Sequence, residues 1–209
     1  MVFPIAKIII PPVVKLWIKE VNGLKNIPEK GHFIVAANHS SYIDNLIIGS
    51  IIVPYIDKKI YWLAKKEHFE TFFQRLWHNY VGAIPLDRQS GGKEVLRFAV
   101  TALKHKEIIA IYPEGTRTLT GKIQKAYTGI ARLALFSKAP VLPIGLTGTF
   151  EILPKGKNIP KLKRATMNIG TPMTFEKYYN KKINKKMLRE VTTAIMKEIA
   201  KLSKQKYNY

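Results

Sequence analysis

Short apolar runs alternate along this chain with stretches whose apolar residues recur at helical spacing. Phe33 to Ala37, Ile60 to Ala64, Ile108 to Tyr112 and Pro140 to Leu146 are continuous or nearly continuous runs. Ala165 to Ile169, closed by Gly170, adds a fifth, and Val81 to Leu86 is a brief extended stretch. Runs of this length, bounded by turn residues, read as buried strands. Between them, Val95, Phe98, Ala99, Ala102 and Leu103 follow the i, i+3, i+4, i+7, i+8 template of an amphipathic helix. Tyr42 to Ile52 reads as a helix ended by Pro54, Phe69 to Asn79 as a short aromatic helix, and Gly129 to Ser137 as another. A last helix around Met187 to Leu202 buries Leu188, Val191, Ile195, Ile199 and Leu202. Strands alternating with helices predict a single α/β domain over residues 25–209, with a largely parallel or mixed sheet flanked by helices. The prolines of the run Pro140 to Leu146 argue against a central, fully hydrogen-bonded position for it.

Ahead of that domain, residues 1–24 form a short segment that is apolar but interrupted. Pro4, Pro11 and Pro12 break it, and Lys7, Lys15 and Lys19 recur along it. A spanning helix needs about 20 apolar residues with few charges, and a signal peptide needs a basic start and a small-residue cleavage site. Neither pattern is here. Trp17 and the periodic lysines suit a segment lying in a membrane interface. A short helix packed on the domain's own core suits the same residues.

Composition sharpens the choice of partner. The 209 residues carry a net charge of +21, and 28 of the 35 basic residues are lysine. Lysine is a point charge, whereas arginine forks onto bases and phosphates, so this excess suits an anionic surface better than sequence readout. From Lys155 onward thirteen Lys and two Arg face three Glu, leaving +12 in the last quarter. Absence of cysteine excludes a disulfide framework, a thiolate nucleophile and cysteine-ligated zinc.

Two strand ends carry candidate chemistry. In Asn38-His39-Ser40-Ser41-Tyr42-Ile43-Asp44 a base and a carboxylate share one strand-to-helix turn. Inside one helix, five residues would rotate His39 and Asp44 about 140° apart. They can meet only with His39 on the loop and Asp44 in the first helical turn. Ser41 to Asp44 is an S-x-x-D capping box that produces such a start. Capping alone would also explain Ser41 and Asp44, with His39 an ordinary loop residue. As a pair, the imidazole would take a proton from an alcohol, with the carboxylate fixing its tautomer. No second ligand stands at a metal spacing, so no metal is expected. The other strand end is Tyr112-Pro-Glu-Gly-Thr-Arg-Thr118. There Gly115 permits close backbone approach, Thr116 offers a hydroxyl and Arg117 can grip a phosphate. Glu114, if buried, must hold an arginine or a backbone turn.

Taken with Gly82 to Arg88 and Val141-Leu142-Pro143-Ile144, these blocks resemble the glycerolipid acyltransferase family, in particular bacterial 1-acyl-glycerol-3-phosphate (lysophosphatidic acid) acyltransferases. The resemblance covers about residues 25 to 175. It implies a glycerol-3-phosphate acyltransferase-like fold and a His39–Asp44 dyad acting as general base on the acceptor hydroxyl. It implies that Arg88 and Arg117 grip the acceptor's phosphate, that Gly115 and Thr116 shape the pocket, and that Glu114 braces it. Lys65 resembles a family lysine near that phosphate, with Lys66 an equally available assignment. The implied acceptor is a lysophospholipid and the implied donor an acyl thioester of acyl carrier protein or coenzyme A, with no further cofactor. Another lysophospholipid, glycerol 3-phosphate or a glycolipid is the rival acceptor, and water would make the same site a thioesterase. Charge alone would allow a basic binding protein for membrane or nucleic acid, although no nucleic-acid recognition motif is present. A basic enzyme of this kind is expected at the cytoplasmic face of a membrane, attached peripherally.

Overall fold

The computed structural model describes residues 12–29, 32–65, 82–86 and 93–209, together with positions 70, 72, 75 and 76. Among the described residues seven strands form one sheet: β1 (Ile18–Asn22), β2 (Ile34–Ala37), β3 (Ile60–Lys65), β4 (Ala83–Leu86), β5 (Ile108–Ile111), β6 (Val141–Thr147) and β7 (Ala165–Ile169). The sheet order is β1-β7-β6-β2-β5-β3-β4, and every neighbouring pair is parallel except β6 with β7. The carboxyl ends of β2, β5, β3 and β4 therefore share one edge of the sheet, where open α/β sheets bind ligands.

Two apolar layers cover the sheet. On one face, Ile34, Ala36, Ile109 and Val141 pack under α2 (Lys93–Lys104), α3 (Gly129–Ser137) and α5 (Lys185–Leu202). On the other, Val35, Ala37, Ala110, Leu142 and Ile144 meet Ile47, Ile48 and Ile52 of α1 (Asp44–Ile56). Alternate residues of the same strand thus serve opposite layers, as the pleat requires. This double burial makes β2 a continuous apolar run. In α2, Val95, Ala99 and Leu103 are buried as the periodicity predicts, but Phe98 is half exposed. In α5, Leu188, Val191, Ile195 and Ile199 are buried, whereas Leu202 in the last turn is partly exposed. Among the described residues, no helix is long and apolar enough to cross a membrane.

Three expectations from the sequence differ from the structure. Pro54 does not end α1, which runs on to Ile56 and stops at Asp57 in the left-handed conformation (φ 49°). β6 lies inside the sheet between β7 and β2 despite Pro143. Its carbonyl accepts from Gly170 N, between the Val141–Met173 bridge and the first β6–β7 pair at Ile144. Because a residue's N–H and C=O leave the same edge of a strand, the missing donor falls in that gap and costs no ladder bond. Third, Ile18–Asn22, read as part of an interfacial segment or a short helix, is edge strand β1, paired parallel with β7. Residues 1–11 of that segment, the expected helix at Phe69 to Asn79 apart from positions 70, 72, 75 and 76, and the Lys66 assignment lie outside the described residues.

Candidate active site

β2 ends at Ala37, and the next residues build the site. Asn38 is buried, and its side chain continues the β2–β6 ladder where the backbone leaves it. Leu146 N donates to Asn38 Oδ1 (2.8 Å), and Asn38 Nδ2 donates to Leu146 O (3.0 Å). We expect Asn38→Ala to lose about 2 kcal/mol of stability, because the N–H and C=O of buried Leu146 both lose their bonds to the side chain. Denaturant unfolding reads this directly, and an unchanged midpoint would remove the side-chain ladder from the account.

His39 then turns its ring toward α1. Its Nδ1 lies 2.8 Å from Asp44 Oδ2, and the same oxygen accepts from Ser40 N and Ser41 N, each at 2.8 Å. Three donors converging on one oxygen fix the carboxylate, which is fully buried. With Nδ1 carrying the proton, Nε2 is the unprotonated nitrogen, and the side chain remains 17% exposed. Asp44 is the first residue of α1, so the geometry expected from the turn is present. The capping box is formed by half. Asp44 bonds back to the Ser41 amide, but Ser41 Oγ accepts from Ile43 N (3.2 Å) and donates to Leu153 O (2.7 Å). Its hydroxyl thus ties the loop to the segment after β6 instead of closing the helix end.

The second strand end packs against the first. After β5, Tyr112 lays its ring on the His39 imidazole, with centroids 3.7 Å apart and planes 9° from parallel. The phenol donates to Asn45 Oδ1. Burial, with the Asp44 charge second, holds its pKa well above 10, so it stays a neutral donor. Pro113 and Glu114 form a turn closed by Gly115 N to Tyr112 O (2.9 Å), and Gly115 has φ 72°, a conformation glycine adopts without steric cost.

Glu114 is buried and holds backbone, not arginine. His39 N donates to its Oε1 (2.8 Å) and Gln124 N to its Oε2 (2.7 Å). Burial pushes its carboxyl from 4.5 up to about 7, against the lowering effect of those two amides. Thr116 contributes its carbonyl to Gln124 Nε2 (3.1 Å), and Thr118 N donates to His39 O (3.0 Å). The backbone of His39 is therefore bonded on both sides to this one turn.

Arg117 lies over the Tyr42 ring, with the guanidinium carbon 3.2 Å from its centroid, and Arg117 Nη1 is buried without a hydrogen-bond partner. An unpartnered buried cationic donor is costly unless an anion completes it. Asp44 Oδ1 is the other buried side-chain atom without a partner among the described residues. Lys65 ends β3, opposite Leu86 of β4, at the same sheet edge. Its side chain and Arg88 lie outside the described residues. No cluster of metal-binding side chains occurs among the described residues.

Sequence reasoning assigned no role to Tyr112, Asn45, Gln124 or Thr149, whose Oγ1 lies 2.8 Å from Ser40 Oγ. An aromatic residue closing an apolar strand was the available signal for Tyr112. For Gln124 and Thr149, no local pattern marks the contact.

A family model described as Acyltransferase matches residues 19–147. The 1-acyl-sn-glycerol-3-phosphate acyltransferase of Bacillus subtilis (strain 168) is 30% identical over 154 residues, covering 74% of this chain and 73% of that protein. The protein of the same name from Streptococcus pneumoniae is 24% identical over 201 residues, covering 92% and 70%. The crystal structure of the 1-acyl-sn-glycerophosphate (LPA) acyltransferase PlsC from Thermotoga maritima matches with a TM-score of 0.72 and 24% identity. It covers 97% of this chain and 81% of that one, and at this identity the likeness shows the fold alone.

Proposed function

This chain belongs to the acyltransferase family, and we propose that it moves a fatty acyl group from a thioester to the sn-2 hydroxyl of 1-acyl-glycerol 3-phosphate, forming phosphatidate. The observation that carries this reading is the 2.8 Å contact of His39 Nδ1 with a fully buried Asp44, beside a turn that ends in Arg117. Nε2 takes the hydroxyl proton as the acceptor oxygen attacks the thioester carbonyl. Asp44 stabilises the imidazolium that forms. The tetrahedral intermediate collapses, the thiolate leaves, and the imidazolium returns the proton to it. Atoms and charge balance without a metal or redox cofactor.

Arg117 would supply the anion grip, since its Nη1 has no hydrogen-bond partner. By the resemblance, Arg88 and Lys65 would join it on the phosphate, with Gly115 and Thr116 forming the wall and Glu114 bracing it. Acyl carrier protein or coenzyme A would bring the acyl group, and the net charge of +21 favours either acidic donor. The same charge supports peripheral attachment at the cytoplasmic face of a membrane.

Acyl transfer from a labelled thioester to a panel of acceptors, offered with each donor, tests the reading. We expect lysophosphatidate to be acylated, at a rate about tenfold or more above lysophosphatidylcholine or lysolipids lacking a terminal phosphate, because the buried grip is left unpaired without it. Preference for an acceptor without phosphate would overturn the acceptor and the role of Arg117. Free fatty acid as the main product would make the enzyme a thioesterase.

A further inference from the structure

The segment between the helical turn α4 (Thr149–Ile152) and β7 is held in place yet exposes its apolar side chains. Lys161 N donates to Ile152 O (2.8 Å), closing the loop at its root, and Lys157 N donates to Pro154 O (3.1 Å). Trp17 Nε1 donates to Lys161 O (3.0 Å) from the N-terminal side. Ser41 bridges Pro154 and bonds Leu153 O, so the root of the loop is tied to the residue two past His39. On this fixed frame Ile159 is 83% and Leu162 85% exposed, more than any other large apolar residue described. The fold gains nothing from either side chain.

Their neighbours say what would cover them. Residues 155–164 contain Lys155, Lys157, Lys161, Lys163 and Arg164 and no acidic residue, and all five cations are exposed. Leu16, on the turn beside Trp17, is 57% exposed. Pro160 removes one backbone donor that would otherwise need a partner away from water. Apolar side chains projecting among cations suit a surface that is anionic at its boundary and hydrocarbon beneath. An acidic protein would satisfy the charges, but isoleucine and leucine at these exposures are better matched by acyl chains.

We propose that the loop 153–164 docks the enzyme on an anionic bilayer, with Ile159 and Leu162 inserted among the lipid chains and the five cations at the headgroups. The docked loop then holds the Ser41–His39 turn next to the bilayer in which a lysolipid acceptor resides. The inference rests on the proposed lipid acceptor for its purpose, though not for the binding itself.

Flotation of the full chain with vesicles separates the two. Wild type is expected to float with vesicles of equal parts phosphatidylcholine and phosphatidylglycerol, and weakly with phosphatidylcholine alone. The double substitution Ile159→Ser with Leu162→Ser should lower partition about tenfold or more, since two buried aliphatic side chains are withdrawn from the lipid. Phe98→Ser, an exposed apolar residue of α2, should leave partition unchanged. Thermal unfolding of the double variant, and its turnover on a short-chain acceptor below its micellar concentration, should match wild type. Unchanged flotation would overturn the proposal, as would equal flotation of wild type with the neutral vesicles. Lost affinity for acyl carrier protein with flotation intact would replace the bilayer by a protein partner. If flotation falls as expected while the acceptor panel rejects lysophosphatidate, docking stands and the acceptor assignment alone fails.

Discussion

His39→Ala should lower kcat for acyl transfer about 10³-fold while the protein remains folded, since a positioned general base contributes about 10²–10⁴. The bonds that hold this turn use the backbone of His39: its N–H to Glu114 and its C=O from Thr118 N. Alanine keeps both, and Asp44 keeps the Ser40 and Ser41 amides. What disappears is the ring, with its Nε2 lone pair, its Nδ1 bond to Asp44 and its stack on Tyr112. Asp44→Asn, nearly the same shape, removes the charge that stabilises the imidazolium and should cost about as much as His39→Ala, on the order of 10³-fold. Because the two act as one unit, the double variant should be no slower than His39→Ala alone. Thermal unfolding beside single-turnover rates makes the test clean. A folded His39→Ala protein with full activity would end the mechanism, and costs that multiply in the double variant would uncouple the dyad.

The parts of the fold that could be read from sequence are those whose burial is signalled locally. β2 and β5 announce themselves because continuous apolar runs must lie between two layers, and α5 because its apolar stripe repeats at helical spacing. β1 gives no such signal: Ile-Lys-Glu-Val-Asn is exposed at three of its five positions, and its partner β7 lies more than 140 residues away. Pro143 misled for a related reason, since the donor it lacks falls where no neighbour needs one, a matter of register that sequence does not carry. In the site, His39 and Asp44 were readable because both stand on one turn. The Glu114 clamp was readable only as an alternative, arginine or backbone, since the choice depends on β2 and β5 being adjacent. Tyr112 on His39 and Thr149 on Ser40 depend on the same adjacency between distant stretches. Local chemistry was thus visible, and the contacts that aim it came from sheet order.

Glu114 should make stability fall as pH rises through neutrality. Its carboxyl is raised from 4.5 to about 7 in the folded protein, chiefly by burial. Between those values the folded chain holds a proton that the unfolded chain has released, so folding takes up protons and stability declines with increasing pH. The contribution is complete below about 4.5 and is lost as pH passes about 7. A shift of this size corresponds to about 3 kcal/mol. Glu114→Gln cannot titrate, and its amide would set an N–H against that of His39 or Gln124, costing about 2 kcal/mol of the protonated form's stability. The difference between wild type and variant should therefore be largest below about pH 4.5 and shrink by about 3 kcal/mol, through zero, by about pH 8. Denaturant unfolding of both proteins across that range isolates this one group, because every other titration is common to the pair. A difference that stays constant with pH would mean Glu114 is ionised throughout and the two amides outweigh its burial. The decline would have a counterpart at the site: the newly formed carboxylate accepts more strongly from His39 N and Gln124 N, tightening the turn that carries Arg117 while the protein as a whole loses stability.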